Sequence, residues 1–222
     1  MPLLNPYEQF WIDWFGLEGR EVGDPYRSFY PHREAFLRFV DHCHATRAPC
    51  YLSVNQYRDR EYVAGLEKLF FDCADDPGHA FDEASDFAHQ LETHYRVAPL
   101  LVFSGRKGYH VYVYLWNTVT FYATREHFAK VVYRRVADML LDGLSYETFD
   151  RQSLGDVKRL ARVPYTTHPG SGQQCHPVNP SGKRLPPMSI NVTAYQRHGL
   201  DRIIFETVVA KVKDQERRTS RR

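Results

Sequence analysis

The chain has 222 residues, a formal net charge of +2 at pH 7 and 43% hydrophobic residues. This length allows one substantial domain with a packed core, and the small net charge gives no overall basic field that would indicate a nucleic-acid partner. The first residues lack the basic region and apolar run of a signal peptide, and no window reaches the roughly 18 apolar residues of a membrane span. We therefore expect a soluble, intracellular protein of the cytoplasm or nucleoid, without a membrane partner.

Two amphipathic helices are predicted near the amino terminus, at residues 5–17 and 32–46. Each carries its large apolar residues on one side: Phe10, Trp11 and Trp14 in the first, and Phe36, Phe39 and Val40 in the second. The chain shows no long linker, so we expect a single domain over residues 1–210. It would consist of an N-terminal module of helices and strands (1–65) and a core (66–190), with a charged tail at 211–222.

The core is predicted to contain four strands and two helices in alternating order. They are a buried strand Leu66–Cys73, a helix Phe81–Tyr95, strands Leu100–Phe103 and Tyr109–Leu115, a helix at 124–142 that Thr124 caps, and a short strand Tyr146–Asp150. This β-α-β-β-α-β order is the split pattern of ferredoxin-like and RNA-recognition-like α+β folds. The pattern places the strands in the spatial order 4-1-3-2, with both helices on one face and the other face open.

Acidic residues follow the first core strand. Asp72 comes directly after three apolar residues, and Asp75 and Asp76 stand just beyond it. Hard cations prefer oxygen ligands on rigid supports, and a carboxylate in an apolar strand needs a partner because its desolvation is costly. Asp72 is therefore a candidate metal ligand, whereas Asp75 and Asp76 have the alternative role of turn residues before Pro77.

A glycine-bracketed loop joins the second and third strands. It contains Ser104, Gly105, Arg106 and Gly108 and runs into His110. Glycines allow backbone N–H groups to turn toward an anion, and the side chains add further donors. The loop is a candidate phosphate site, although a basic hairpin loop with a core histidine has the same pattern.

A basic segment follows the last core strand. Asp156 has the position of an N-cap for a short helix that ends before a proline. Such a helix would place Lys158 and Arg162 on one face with Arg159 beside them. These cations are either a solvated face or contacts for phosphate groups.

In this order, the segments resemble the catalytic small subunit of archaeal and eukaryotic DNA primases and the wider primase-polymerase superfamily. In that family an apolar strand ends in metal-binding carboxylates, and a Ser-Gly-x-x-Gly-x-His motif and a lone Asp follow. The similar positions here are Asp72, Ser104–His110 and Asp150. Residues 158–169 resemble the family's basic segment with its apolar-Pro step and His, and the likeness covers roughly residues 60–180.

The resemblance implies a primase-polymerase catalytic domain that transfers nucleotides from NTP or dNTP, in primer synthesis or extension, with two Mg²⁺ or Mn²⁺ ions. The implied metal ligands and catalytic residues are Asp72, Asp75 and Asp150. The implied nucleotide-binding residues are Ser104, Arg106, His110, Arg159, Arg162 and His168. The implied partners are a single-stranded DNA template, a primer strand and a primase large subunit or helicase, in replication or repair.

One departure from the family concerns the first motif, whose two carboxylates usually stand two residues apart. Position 74 is Ala here, so Asp75 reaches the site only if the strand bulges at Cys73–Ala74, and we expect that bulge. Asp76 has the right parity but lies further along. Zinc is not favoured, because the cluster of His42, Cys43, His44 and Cys50 lacks a paired Cys-x-x-Cys.

Two other functions compete for the same residues. A non-catalytic nucleic-acid-binding or subunit module would keep the sheet with a degraded metal site, and could stack bases on Tyr112 and Tyr114. A metal-dependent phosphohydrolase or nuclease would use the same acids. The glycine-bracketed loop and the basic segment favour triphosphate binding over hydrolysis.

Overall fold

The computed structural model of the chain describes residues 5–23, 26–120 and 126–219. Its helices are α1 (Pro6–Phe15), α2 (Arg33–Thr46), α3 (Pro77–Gln90), α4 (Glu126–Leu140), α5 (Val192–Arg197) and α6 (Arg202–Thr219). None of these described helices is long and apolar enough to cross a membrane. The strands are β1 (Arg20–Val22), β2 (Ser28–Tyr30), β3 (Tyr51–Ser53), β4 (Gln56–Tyr57), β5 (Val63–Ala74), β6 (Leu100–Phe103), β7 (Gly108–Thr120), β8 (Leu160–Arg162) and β9 (His176–Val178).

The strands form two antiparallel sheets. A five-stranded sheet has the order β4-β5-β7-β6-β9, and a four-stranded sheet has the order β2-β1-β3-β8. In the larger sheet the long strands β5 and β7 pair from Ala74↔Gly108 to Gly65↔Thr120, with a register shift between Leu66 and Lys68. The α+β class predicted from the sequence is confirmed.

The predicted 4-1-3-2 order is also present, with its fourth strand reduced to one bridge. Phe149 pairs with Cys73 at the edge of β5 that faces away from β7. The Asp150 N–H donates to the Asp72 carbonyl over 2.8 Å, and the Ala74 N–H donates to Thr148 over 2.9 Å. Residues 146–150 therefore follow β5 without forming a regular strand.

The first core helix begins earlier than predicted. Asp76 caps α3, accepting hydrogen bonds from the Gly78 and His79 N–H groups, and the predicted last turn, Leu91–Tyr95, is a π-helix. The predicted N-cap of the second core helix, Thr124, lies outside the described residues.

Helices α3, α4 and α6 cover one face of the larger sheet with a continuous apolar core. The Tyr133 hydroxyl of α4 meets the outer backbone of β5, where it accepts from the Phe70 N–H at 2.6 Å and donates to its carbonyl at 3.1 Å. This contact provides hydrogen-bond partners for the backbone of Phe70, on the edge of β5 between its pairing with β4 and its bridge to Phe149. The predicted tail begins inside α6, where Val212 is buried.

The opposite face of the sheet is covered, which corrects the prediction of an open face. Phe70, Tyr112 and Tyr114 are buried there in a second core shared with α1, α2 and the smaller sheet. The ring of Trp14 packs edge-on against Tyr112 with centroids 5.1 Å apart. The apolar faces of the N-terminal helices need a surface to bury, and the aromatic face of the sheet supplies it. Among the described residues, cavities open onto this face of the sheet at its two ends.

The basic segment does not form the predicted helix. Residues 160–162 form strand β8, which pairs with β3 in the register Tyr51↔Arg162. The pairing continues on both sides, with Val54 N–H donating to Arg159 over 2.9 Å and Val163 N–H donating to Cys50 over 3.0 Å. Asp156 caps a turn instead, accepting from the Lys158 N–H. Pairing with the free edge of β3, which is distant in the chain, outweighs the helical preference that the local spacing indicated.

Candidate functional site

A cavity of about 270 Å³ opens between the two sheets, where β5 ends and β7 begins. Four separate stretches of the chain line it, namely β3, the end of β5, the loop into β7, and residues 159–168. Seven of the nine residues that the resemblance singled out line this cavity: Asp72, Ser104, Arg106, His110, Arg159, Arg162 and His168. We call it the inter-sheet pocket.

Asp72 is the carboxylate in the wall of the pocket. Its cross-strand neighbour on β7 is His110, whose Nε2 lies 3.9 Å from the carboxylate. From the other sheet, the Arg159 guanidinium donates to Asp72 over 2.7 Å. The ion pair therefore ties the two sheets together across the pocket.

His110 is buried in the pocket, and its Nδ1 has no hydrogen-bond partner among the described residues. Burial lowers the pKa of His110 below its usual value, and the charges of Arg159 and Arg162 lower it further, against the opposing effect of Asp72. The ring is therefore neutral at pH 7, with one nitrogen that donates a hydrogen bond and one that accepts.

Arg159 and Arg162 present unused donors in the same place. The Arg162 guanidinium lies 4.6 Å from the Tyr51 ring centroid and donates to its hydroxyl over 2.6 Å. Its Nη1 and the Nε of Arg159 are buried without partners among the described residues. Buried N–H groups of a cation are costly when unpaired, so these donors indicate a site for an anionic group.

The loop between Ser104 and Gly108 closes one side of the pocket. Gly105 has φ +89°, and Ser104 Oγ accepts from the Gly108 N–H over 3.2 Å. A Cβ on Gly108 would lie 2.3 Å from the Cys73 carbonyl, so only glycine allows this close approach of β5 and β7. The loop is held as a tight hairpin with Arg106 exposed at its tip.

His168 approaches this loop from the basic segment. Its Nδ1 accepts from the Gly170 N–H at 3.0 Å and the Ser171 N–H at 3.2 Å, which leaves the proton on Nε2. Partial burial and the charges of Arg162 and Arg106 lower the pKa of His168. Its Nε2–H is therefore available as a neutral donor.

The other two predicted acids do not line the pocket. Asp75 is exposed, 3.8 Å from His79 Nδ1, and Cys73 and Ala74 pair regularly with β7, so the expected bulge is absent. Asp150 lies next to Asp72 through its backbone, but its carboxylate accepts from the Gln152 N–H in a turn. Ala74, not Asp75, lines the pocket two residues beyond Asp72.

The residues present do not fit a protein-held pair of metal ions. Among the described residues no group of three or more His, Cys, Asp or Glu side chains is arranged to hold a metal. Asp72 is the acidic residue in the pocket lining, and Arg159 already pairs with it. Four cationic side chains line the same cavity: Arg106, Lys107, Arg159 and Arg162. The lining therefore carries more positive than negative charge, which favours binding of a polyanion.

Among the lining residues with polar side chains, two were not singled out from the sequence. Lys107 belongs to the glycine-bracketed loop, so the signal was present in the motif itself. Tyr51 carries no motif, and its role beside Arg162 follows from the pairing of β3 with β8. Local sequence holds no signal for such a contact.

The fold is similar to those of solved primase and primase-polymerase catalytic domains. The chain aligns with the AEP domain of the cyanophage S-2L primase-polymerase (PrimPol) with a TM-score of 0.53 and 13% identity, over 82% of this chain and 91% of that one. It aligns with the catalytic domain of primase RepB' in complex with initiator DNA with a TM-score of 0.53 and 15% identity, over 97% and 96%. A second structure of primase RepB' gives a TM-score of 0.55 and 13% identity, over 96% of this chain and 65% of that one. No protein-family model and no curated protein sequence matches the chain.

Proposed function

We propose that the chain is a nucleotidyltransferase that binds a nucleoside triphosphate in the inter-sheet pocket and adds its nucleotide to a primer strand on a single-stranded DNA template. The observation that carries this proposal is the convergence of seven residues from distant segments on one cavity with the primase-polymerase fold. The proposal includes DNA as a partner because one structural neighbour is a primase in complex with initiator DNA.

The triphosphate would be held by the donors that the pocket leaves unused. Arg159 Nε and Arg162 Nη1 are buried donors without partners among the described residues, and the unpartnered Nδ1 of His110 adds a donor in the tautomer that carries its proton. Arg106 at the loop tip and the Nε2–H of His168 add donors at the rim. Charge-assisted hydrogen bonds from several directions fix a phosphate chain in position, and most of the catalysis in phosphoryl transfer is positioning and electrostatics.

Divalent metal enters the proposal with the nucleotide. Mg²⁺ is usually bound through one or two carboxylates together with substrate phosphates, and Asp72 is the carboxylate that the pocket offers. Asp75 and Asp150 would contribute only after a rearrangement of their side chains, so the three-acid arrangement remains a hypothesis. Helicase or large-subunit partners and a role in replication or repair belong to the same proposal.

A second function is favoured by the pairing at the end of β5. Ala74 occupies the wall position next to Asp72, and Arg159 neutralises the carboxylate that remains. A module that binds nucleotide or nucleic acid without catalysis needs cationic donors and no cluster of acids. The two functions therefore differ in whether Asp72 is required for turnover or only for the geometry of Arg159.

The experiment is extension of a labelled primer on a single-stranded template, with Mn²⁺ or Mg²⁺ and either dNTPs or NTPs. Wild type is compared with Asp72→Ala, Asp150→Ala and Ala74→Asp, and triphosphate binding is measured in parallel in the presence of EDTA. We expect extension by wild type, its loss in Asp72→Ala, and retained triphosphate binding in Ala74→Asp.

Each outcome separates the alternatives. Wild type that binds triphosphate but extends no primer, with activity restored in Ala74→Asp, identifies the binding module with a degraded metal site. Wild type that neither binds triphosphate nor extends a primer contradicts both functions. Asp150→Ala tests whether that carboxylate leaves its turn during turnover, because loss of activity there requires a contact that the present geometry does not contain.

A further inference from the structure

A second cavity, of about 450 Å³, lies at the opposite end of the same sheet face. It forms where the pairing of β5 and β7 breaks: Lys68 pairs with Tyr114 and Leu66 with Val119, so four residues, Leu115 to Thr118, stand opposite Glu67 alone. A bulge of this kind re-aims side chains and is typical of the surroundings of functional sites. We call this cavity the bulge cavity.

The bulge brings two neighbouring charged residues into one buried cluster. Glu67 and Lys68 are consecutive, yet Lys68 Nζ lies 2.8 Å from the Glu67 carboxylate, and Arg20 contacts the same carboxylate from β1. The side chains of Arg20, Glu67 and Lys68 are 1%, 5% and 3% exposed. Among the buried residues that the structure describes, Glu67 is the one acid, so the cluster holds two cations against a single anion.

Lys68 has the spare donors in this cluster. The N–H groups of Arg20 donate to the carbonyls of Phe15, Ser53 and Val54 and to the Glu67 carboxylate. The Lys68 ammonium has one carboxylate partner and otherwise faces the rings of Trp14 and Tyr114, at 5.0 and 5.1 Å from their centroids. Burial lowers the pKa of Lys68 to about 8, with Glu67 opposing the change and Arg20 adding to it.

The cavity wall also contains a buried hydroxyl without a hydrogen-bond partner in the part of the chain that the structure describes, and an exposed aromatic ring. The Tyr114 hydroxyl is buried and has no hydrogen-bond partner among the described residues. Trp116, on the bulge itself, is 56% exposed although its backbone N–H is fixed to the Leu200 carbonyl over 3.2 Å. A buried excess positive charge, an unpaired hydroxyl and a flat apolar ring thus border one cavity of small-molecule size.

We propose that the bulge cavity binds a small organic anion, with its carboxylate or phosphate group beside Lys68 and Tyr114 and its flat apolar part against Trp116. The anion would complete the charge balance of the buried cluster, which is the physical reason for its affinity. Along β5 the cavity lies four residues from Asp72, or roughly 13 Å at 3.3 Å per residue. Phe70 and Tyr112 are packed between the two sites, so the bulge cavity is a site separate from the inter-sheet pocket.

The test is a titration of the full chain with benzoate and, separately, with phenyl phosphate, followed by tryptophan fluorescence. Of the three tryptophans in the chain, Trp14 and Trp116 line the bulge cavity, so occupancy changes their emission. We expect saturable binding of at least one probe, weakened at least about tenfold in Lys68→Met because the buried charge is removed. The probe that binds more tightly identifies the anionic group that the site prefers.

Arg106→Gln serves as the control variant, because Arg106 lines the inter-sheet pocket and not the bulge cavity. Unchanged probe binding in this variant supports the bulge cavity. Binding that is lost in Arg106→Gln and kept in Lys68→Met overturns the proposal. The absence of saturable binding by wild type up to about 10 mM probe also overturns it, because a dissociation constant above that value is too weak for a specific site.

A measurement on wild type alone covers the case in which Lys68→Met does not fold. Acrylamide quenching of tryptophan emission is measured with and without phenyl phosphate or benzoate. Trp116 is 56% exposed, whereas Trp11 and Trp14 are buried, so we expect the bound probe to reduce the quenching. Equal quenching with and without saturating probe overturns the proposal.

Discussion

Arg159, the residue before strand β8 of the smaller sheet, donates a hydrogen bond of 2.7 Å to Asp72 in strand β5 of the larger sheet. Asp72 stands at the end of a long central strand, whereas Arg159 is carried by the segment that pairs with β3 at the edge of the smaller sheet. The pair neutralises the carboxylate in the inter-sheet pocket and places a guanidinium beside His110. A ligand that separates Arg159 from Asp72 would therefore change the charge around His110.

Replacing Arg159 with Gln should raise the pKa of His110. The charge of Arg159 lowers that pKa directly, and its removal also frees Asp72 to act on the imidazole, which raises the pKa. Titration of the imidazole C–H resonances by NMR measures the change. Lys158→Gln is the matched control, since Lys158 pairs with Glu126 away from the pocket. An unchanged or lower pKa for His110 in Arg159→Gln would contradict the described electrostatics.

Ala74→Asp should strengthen the binding of Mn²⁺ in the pocket. The new carboxylate would stand on the same side of β5 as Asp72, and Ala74 is exposed, so the substitution should cost little stability. Adding a second oxygen ligand should strengthen Mn²⁺ binding on the order of tenfold over wild type. Electron paramagnetic resonance of free Mn²⁺ measures the change. Asp75→Asn is the control and should leave Mn²⁺ binding as in wild type, because Asp75 is exposed outside the pocket lining.

His110 should make the folded state less stable at mildly acidic pH. Its pKa in the folded state lies below the ordinary value of 6.5, so below pH 6.5 the unfolded chain binds more protons there than the folded chain. The free energy of unfolding therefore falls as pH decreases from 6.5, by at most about 1.4 kcal/mol per pH unit for this one group. Urea denaturation between pH 7.5 and about 5 should show a shallower decrease for His110→Gln than for wild type. Parallel pH profiles would rule out this contribution.

Glu67→Gln should be strongly destabilising. Burial works to raise the pKa of Glu67, but the charges of Arg20 and Lys68 outweigh it and lower that pKa to about 2. Removing the carboxylate leaves two buried cations with no counter-charge, which typically costs about 3–5 kcal/mol. Chemical denaturation measures the loss. Glu61→Gln, on an exposed residue, is the control and should change the free energy of unfolding by less than about 0.5 kcal/mol.

The sequence by itself determined the elements whose signals are local. The apolar run before Asp72 predicted the central strand, and α3 follows it as the spacing of apolar residues required. The hairpin with Gly105 and Gly108 was readable because a positive φ and a close backbone approach each demand glycine. The β-α-β-β-α-β sequence of elements also predicted the 4-1-3-2 order of the strands, because few arrangements of such a chain bury both helices.

Only the tertiary structure decided which residues meet in the pocket. Regular pairing of β5 through Ala74 turned Asp75 away, and the choice between a bulge and a regular strand end depends on the partner strand. The basic segment became strand β8 because β3 offered a free edge, which brought Arg159 to Asp72 and Arg162 to Tyr51. Charge pairs between segments so far apart in the chain leave no periodic signal, because their positions are fixed by packing of the two sheets and not by neighbouring residues.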